Sequence, residues 1–117
     1  MSASEWSWPD SLDALVAAPR HHKLIYENDS IRILDTRIPV GDTVPVHTHR
    51  WPAVYYAVAP GDFIRRDAEG NVLLDTRIAT RPQGQSPVSQ PLTPHSIENV
   101  SASEIRLVSV EMKKPFA

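Results

Sequence analysis

The sequence predicts an all-β domain preceded by one short helix, and three observations carry that expectation. From Lys23 onward, short runs of β-branched and aromatic residues alternate with turn chemistry at even spacing. Only one segment, ahead of those runs, has helical periodicity. Finally, His47-Thr48-His49 and a distant His95 make a metal-ligand pattern that needs a barrel or sandwich to close it.

Trp8 to Ala18 reads as the helix. Its early proline and acidic residues suit a helix start, Leu12, Leu15 and Val16 share a face, and Pro19 stops it. Residues 1–20 are thus expected to be an N-terminal helical extension and residues 21–117 the barrel domain. Strands are expected at residues 24–26 and 31–38, around the turn Glu27-Asn28-Asp29-Ser30. Pro39-Val40-Gly41-Asp42 breaks the second, and residues 44–49 begin another. Residues 52–58 form a strong apolar strand closed by Pro60-Gly61-Asp62. Residues 63–66 and 72–77 pair across the hairpin Asp67-Ala68-Glu69-Gly70-Asn71. Residues 80–91, rich in Pro, Gln, Ser and Gly, read as a loop or irregular edge that could border a pocket. Two last strands, 95–100 and 105–112, flank Ser101-Ala102-Ser103-Glu104 and precede a frayed tail at 113–117.

Composition removes several classes of function. At 117 residues the chain fits one domain, able to bury roughly two thirds of its unfolded surface. Twelve basic against fourteen acidic residues, without a basic run, argue against nucleic acid as partner. No apolar stretch approaches the ~20 residues of a spanning helix, and no signal-peptide pattern opens the chain, so a soluble, cytoplasmic protein away from membranes is expected. The absence of cysteine excludes disulfides, thiol nucleophiles and thiolate-zinc sites, leaving nitrogen and oxygen as metal ligands. There is no Gly-x-Ser-x-Gly elbow. Glycine is too scarce for a phosphate-cradling loop, and Asp62, Asp67, Glu69 and Asp75 gather around a hairpin as a solvated tip.

The histidines carry the chemistry. In a strand, His47 and His49 project from the same face about 7 Å apart. Gly41, five residues, His47-Thr48-His49 and a closing Gly61, followed by Pro94-His95 with Asn99 beyond, resemble the two motifs of a small single-domain cupin. Glu27-Asn28-Asp29 with Ile31-Arg32-Ile33-Leu34 also resembles the entry strand of such proteins. The resemblance covers roughly residues 20–112 and implies a double-stranded β-helix, or jelly roll, with a divalent metal on His47, His49 and His95. Two features depart from the pattern. The second motif lacks its glycine, and the glutamate of the first is missing: by spacing its place falls at Ala53 or Val54.

A site of neutral imidazoles leaves a divalent ion its full charge and an open position, which favours an anionic or chelating small molecule. By resemblance this suggests the three-histidine dioxygenases, with Fe(II) favoured and Zn, Ni, Co or Mn able to bind the same nitrogens. Counting from Val54 as the inward position turns Tyr56 inward and Tyr55 outward. Tyr56 is then either a catalytic pocket residue near the metal or a core tyrosine. Glu98, facing away from His95, is a poor substitute carboxylate. Trp51 either walls the site or simply packs. Arg65, Arg66, Arg77 and Arg81 are candidate clamps for a substrate carboxylate, or solvated strand-edge residues. Trp6 and Trp8 pack the helix on the barrel or a partner. His21 and His22, outside both motifs, are expected to be exposed or capping. A homodimer that covers strand edges is expected by analogy. The competing functions are a non-catalytic metal- or ligand-binding module and a structural dimer with a vestigial site.

Overall fold

In the computed structural model, residues 6–79 and 88–114 are described. Nine strands follow the N-terminal segment: β1 His22–Glu27, β2 Ile31–Ile38, β3 Thr43–His47, β4 Ala53–Ala59, β5 Phe63–Asp67, β6 Val72–Asp75, β7 Val88–Ser89, β8 His95–Asn99 and β9 Ile105–Met112. They form two antiparallel sheets, ordered β1-β2-β9-β4-β7 and β3-β8-β5-β6. From β2 to β5 and from β6 to β9 successive strands alternate between the sheets, while β1–β2 and β5–β6 are hairpins within one sheet; the alternation winds the chain into a double-stranded β-helix.

The N-terminal helix is shorter than expected. Asp10–Leu12 is a single 3-10 turn, Asp13 is extended, and Ala14–Ala17 (α1) is one α-helical turn. Asp13 causes the interruption: it forms a parallel bridge to Thr48 and caps α1 by accepting from the Leu15 N–H. Val16, expected on the buried face, is 61% exposed. The segment is nonetheless built into the barrel. Thr48 donates its N–H to the Leu12 carbonyl at 2.8 Å and accepts from the Ala14 N–H at 3.0 Å.

The register separates inside from outside. Across the five-stranded sheet, His22, Thr36, Leu107 and Ala57 share the inner face, as do Arg32, Glu111 and Ala53, and Leu34, Ser109 and Tyr55. A small apolar core fills one end of the barrel with Ala18, Ile38, Val44 and Ile105, against which Phe63, Ile97 and Leu107 pack. Asn99 ties that end together. Its amide donates to the carbonyls of Ile38 and Ser103, and its Oδ1 accepts from Ser101. The other end is polar and buried, and it holds the histidines.

Residues 80–87 of the expected loop and 115–117 of the tail lie outside the described residues, as does Arg81; within the loop, Val88 and Ser89 form a short strand against β4. Among the described residues no helix is long and apolar enough to cross a membrane.

Candidate metal centre

Four histidine rings gather at the polar end: His22, His47 and His49 are in mutual ring contact, and His95, expected from the sequence as the third ligand, lies against His47 but outside the group whose ligand atoms come together. His47 ends β3 and His95 begins β8, and they are directly opposed in the ladder with ring centroids 4.7 Å apart. His49 lies 5.2 Å from His47, beyond the end of β3 where Thr48 is pinned by the N-terminal segment. The fourth ring is His22, 4.9 Å from His47 and 5.3 Å from His49. One ligand atom each from His22, His47 and His49 lie within 4.8 Å of one another, a span that one ion with ~2 Å bonds can draw together.

His22 corrects the expectation from sequence. It is 5% exposed, and His21 is 3% exposed. The capping part of that expectation has a basis, since both the His22 N–H and its ring Nδ1 reach the Ala18 carbonyl. The available signal was alternation in β1. That strand starts at His22, two residues earlier than its apolar run suggests, because Lys23 breaks the hydrophobic pattern without breaking the ladder.

Each ring is oriented by its Nδ1. His22 donates to the Ala18 carbonyl at 3.0 Å, His47 to Pro45 at 2.8 Å and His95 to Thr93 at 2.7 Å. His49 donates to Oε2 of Glu111 at 2.7 Å. A carbonyl or carboxylate acceptor requires the proton on Nδ1, so the neutral tautomer leaves the Nε2 lone pair of every ring for a metal. Burial, above all, keeps three of them neutral. It pushes His22 down to about 4, and repulsion between protonated rings at His22 and His49 adds to the shift. It pushes His95 to about 4 and His47 to about 2, the latter with further repulsion from His49, His95 and His22.

Behind His49 lies a buried ionic chain. Glu111 is fully buried, and its Oε1 accepts from Arg32 at 2.7 Å. Arg32 in turn makes a bidentate pair with Asp13, both contacts at 2.9 Å. Burial works against the charges of Asp13 and Arg32, but their mutual contacts outweigh it, lowering the former and raising the latter.

The inward and outward faces of β4 are the reverse of the expectation. Tyr56 is 71% exposed and lies on the outer face with Val54, so neither lines the site. Tyr55 points inward instead, its ring edge-on to His49 at 6.5 Å. The alternation was counted from Val54, but the chain bends at Arg50, Trp51 and Pro52 before β4, and the inward phase belongs to Ala53. Although 40% of the residue is exposed, the partial burial of its hydroxyl and then the negative charge of Glu111 raise the Tyr55 hydroxyl above the usual phenol range. Trp51 stacks on cations, with the Arg32 guanidinium 4.9 Å from its ring and Lys113 at 5.2 Å, and so covers the ionic chain. Trp6 is buried under the Arg50 guanidinium.

Of the candidate arginines, Arg66 pairs with Glu98 and Arg77 with Asp75, both on the surface side. Arg65 lies opposite Ile97 on the inner face, near enough for its charge to bear on both His95 and Tyr55.

No family model and no curated protein matches the sequence. Solved structures do match. A cupin domain from Bordetella pertussis Tohama I is 22% identical with a TM-score of 0.61, over 80% of this chain and 92% of that one. A conserved protein with a double-stranded β-helix domain from Klebsiella pneumoniae is 14% identical with a TM-score of 0.53, over 97% and 88%. An RmlC-like cupin protein with a double-stranded β-helix fold from Methanocaldococcus jannaschii is 11% identical with a TM-score of 0.52, over 78% and 77%. Two facing antiparallel sheets with crossing connections, a polar end crowded with histidine and this likeness give one conclusion: the chain is a small domain of the cupin, double-stranded β-helix, fold.

Proposed function

We propose that the protein binds one divalent metal through His47, His49, His22 and His95 and uses it on a small anionic or chelating molecule, in an oxygen-dependent cleavage or oxidation with Fe(II). The observation that carries this is the orientation of the rings. Four Nδ1 atoms are each committed to an acceptor at 3.0 Å or less, which leaves the Nε2 atoms as the available donors, and ligand atoms of His22, His47 and His49 lie within 4.8 Å of one another. A resident Fe(II) would supply Lewis acidity and open coordination positions.

The remaining residues suit an anion. Imidazole ligands bring no negative charge to an ion, and the Glu111 carboxylate is already held by Arg32 and His49. Arg65, on the inner face, offers a guanidinium to a carboxylate, and the protonated Tyr55 hydroxyl offers a second donor. Both would bind and orient the substrate, while Leu34, wholly buried on the same face, helps exclude water. Anaerobic loading with Fe(II), then addition of diketones, thiols and aromatic acids in air, tests this. Oxygen uptake with at least one class is expected, and metal binding without uptake across the panel would leave the non-catalytic binding module.

We also propose a homodimer. The outer face of the larger sheet carries a continuous apolar row, Tyr26, Ile33, Val110 and Val54, beside the exposed Tyr56, and a second copy covering it would remove that surface from water.

A further inference from the structure

The chain lacks the motif carboxylate on β4, yet a carboxylate stands directly across the ladder from its place. Ala53, one of the two positions where spacing puts the glutamate, is the cross-strand partner of Glu111 on β9, and both point inward. Directly opposed side chains in an antiparallel pair have Cβ atoms only ~5 Å apart. A methyl group at 53 leaves room for the longer side chain at 111. The Glu111 carboxylate then reaches the back of a ligand ring, with Oε2 on His49 Nδ1 at 2.7 Å, rather than facing the donor nitrogens.

We propose that Glu111 is a positioning residue that supplies the missing negative charge to the metal centre through His49, and that Asp13 and Arg32 hold it in place. This rests on the metal-binding function proposed above. A carboxylate accepting from Nδ1–H fixes the ring and makes the opposite nitrogen a stronger donor. The Arg32 guanidinium pairs with the buried Glu111 carboxylate through Nε and with Asp13 through its two terminal nitrogens, which fixes the guanidinium between the two carboxylates. Asp13 belongs to the segment that also pins Thr48 between the two histidines. The N-terminal segment is therefore part of the metal centre, acting on its backbone through Thr48 and on its charge through Arg32.

The test is a titration of the full, metal-free chain with Co(II) alone, read by visible absorption of the bound ion. Unfolding of the metal-free protein is followed by circular dichroism. Glu111→Gln removes the charge at nearly constant shape, and Co(II) affinity is expected to fall about 10- to 100-fold. Glu111→Asp keeps a charge too short to reach His49 and is expected to weaken binding similarly, which decides the matter if the first variant does not fold. Asp13→Asn should weaken binding in the same direction by a smaller factor. A purely structural Glu111 would lower the unfolding temperature and leave Co(II) affinity within about twofold of wild type, and that result overturns the inference alone. Wild-type protein that binds no Co(II) overturns the metal site and this inference together.

Discussion

His47 and His95 oppose each other directly across the β3–β8 ladder, their rings 4.7 Å apart, although 47 residues of chain separate them. Each donates its Nδ1 to the carbonyl two residues earlier, Pro45 in one strand and Thr93 before the other. The two strands thus present imidazoles held in the same way. His47→Ala and His95→Ala should each lower Co(II) affinity by about 100-fold or more, since a ligand itself is lost rather than its support. Isothermal titration of the chelator-treated protein reads this. Affinity unchanged in both would mean that the cluster holds no metal.

His21 and His22 are neighbours with different partners, and a pair of variants separates them. His22→Ala removes a ring 4.9 Å from His47 and should weaken metal binding about 10-fold or more. His21 contacts Asp42 through Nε2 at 2.8 Å, away from the cluster. His21→Ala should leave metal affinity intact and cost about 2 kcal/mol of stability by urea denaturation, the range of a hydrogen bond to a charged group.

Acid should unfold the metal-free protein through its histidines. The folded values of about 4 for His22 and His95 and about 2 for His47 lie below the ordinary value of 6.5. Between 6.5 and 4 the unfolded chain binds more protons than the folded one, so stability falls as pH falls. The loss is at most about 1.4 kcal/mol per pH unit for each histidine, and it is absent above pH 7. Urea midpoints measured from pH 7 down to about pH 4 should decline throughout. A flat profile would place these rings in water.

Gly61 is needed for space rather than for backbone conformation. A Cβ there would lie 2.6 Å from Ser101 Oγ and 2.9 Å from Ile105 Cγ1, a core residue. Gly61→Ala should destabilise by about 1–3 kcal/mol in chemical denaturation. Gly41 differs, with a φ of 74° and open space around it, so its substitution strains the turn instead.

The tyrosines of β4 should respond oppositely. Tyr56→Glu, on the outer apolar face, should shift the protein to monomer in sedimentation without changing Co(II) affinity. Tyr55→Phe, beside His49, should leave the oligomer unchanged and weaken binding of anionic ligands to the metal-loaded protein. A variant that moved the other's readout would reverse the assignment of faces.

Most strand positions and the apolar runs were legible in the residues alone, because local alternation and turn chemistry are written at short range, and the two histidine motifs fall on the paired strands β3 and β8. The phase of β4 was not, since the bend at Arg50 to Pro52 breaks the count and a one-residue slip exchanges Tyr55 for Tyr56. His22 was hidden by a strand boundary misplaced by two residues, and Glu111 by its distance from every motif. Asp13, Arg32, Glu111 and His49 come from four separate stretches of chain, and nothing in their spacing announces a network. Only folding brings such groups within 3 Å of one another in a buried space, where an unpaired charge is too costly to persist and each must find its partner.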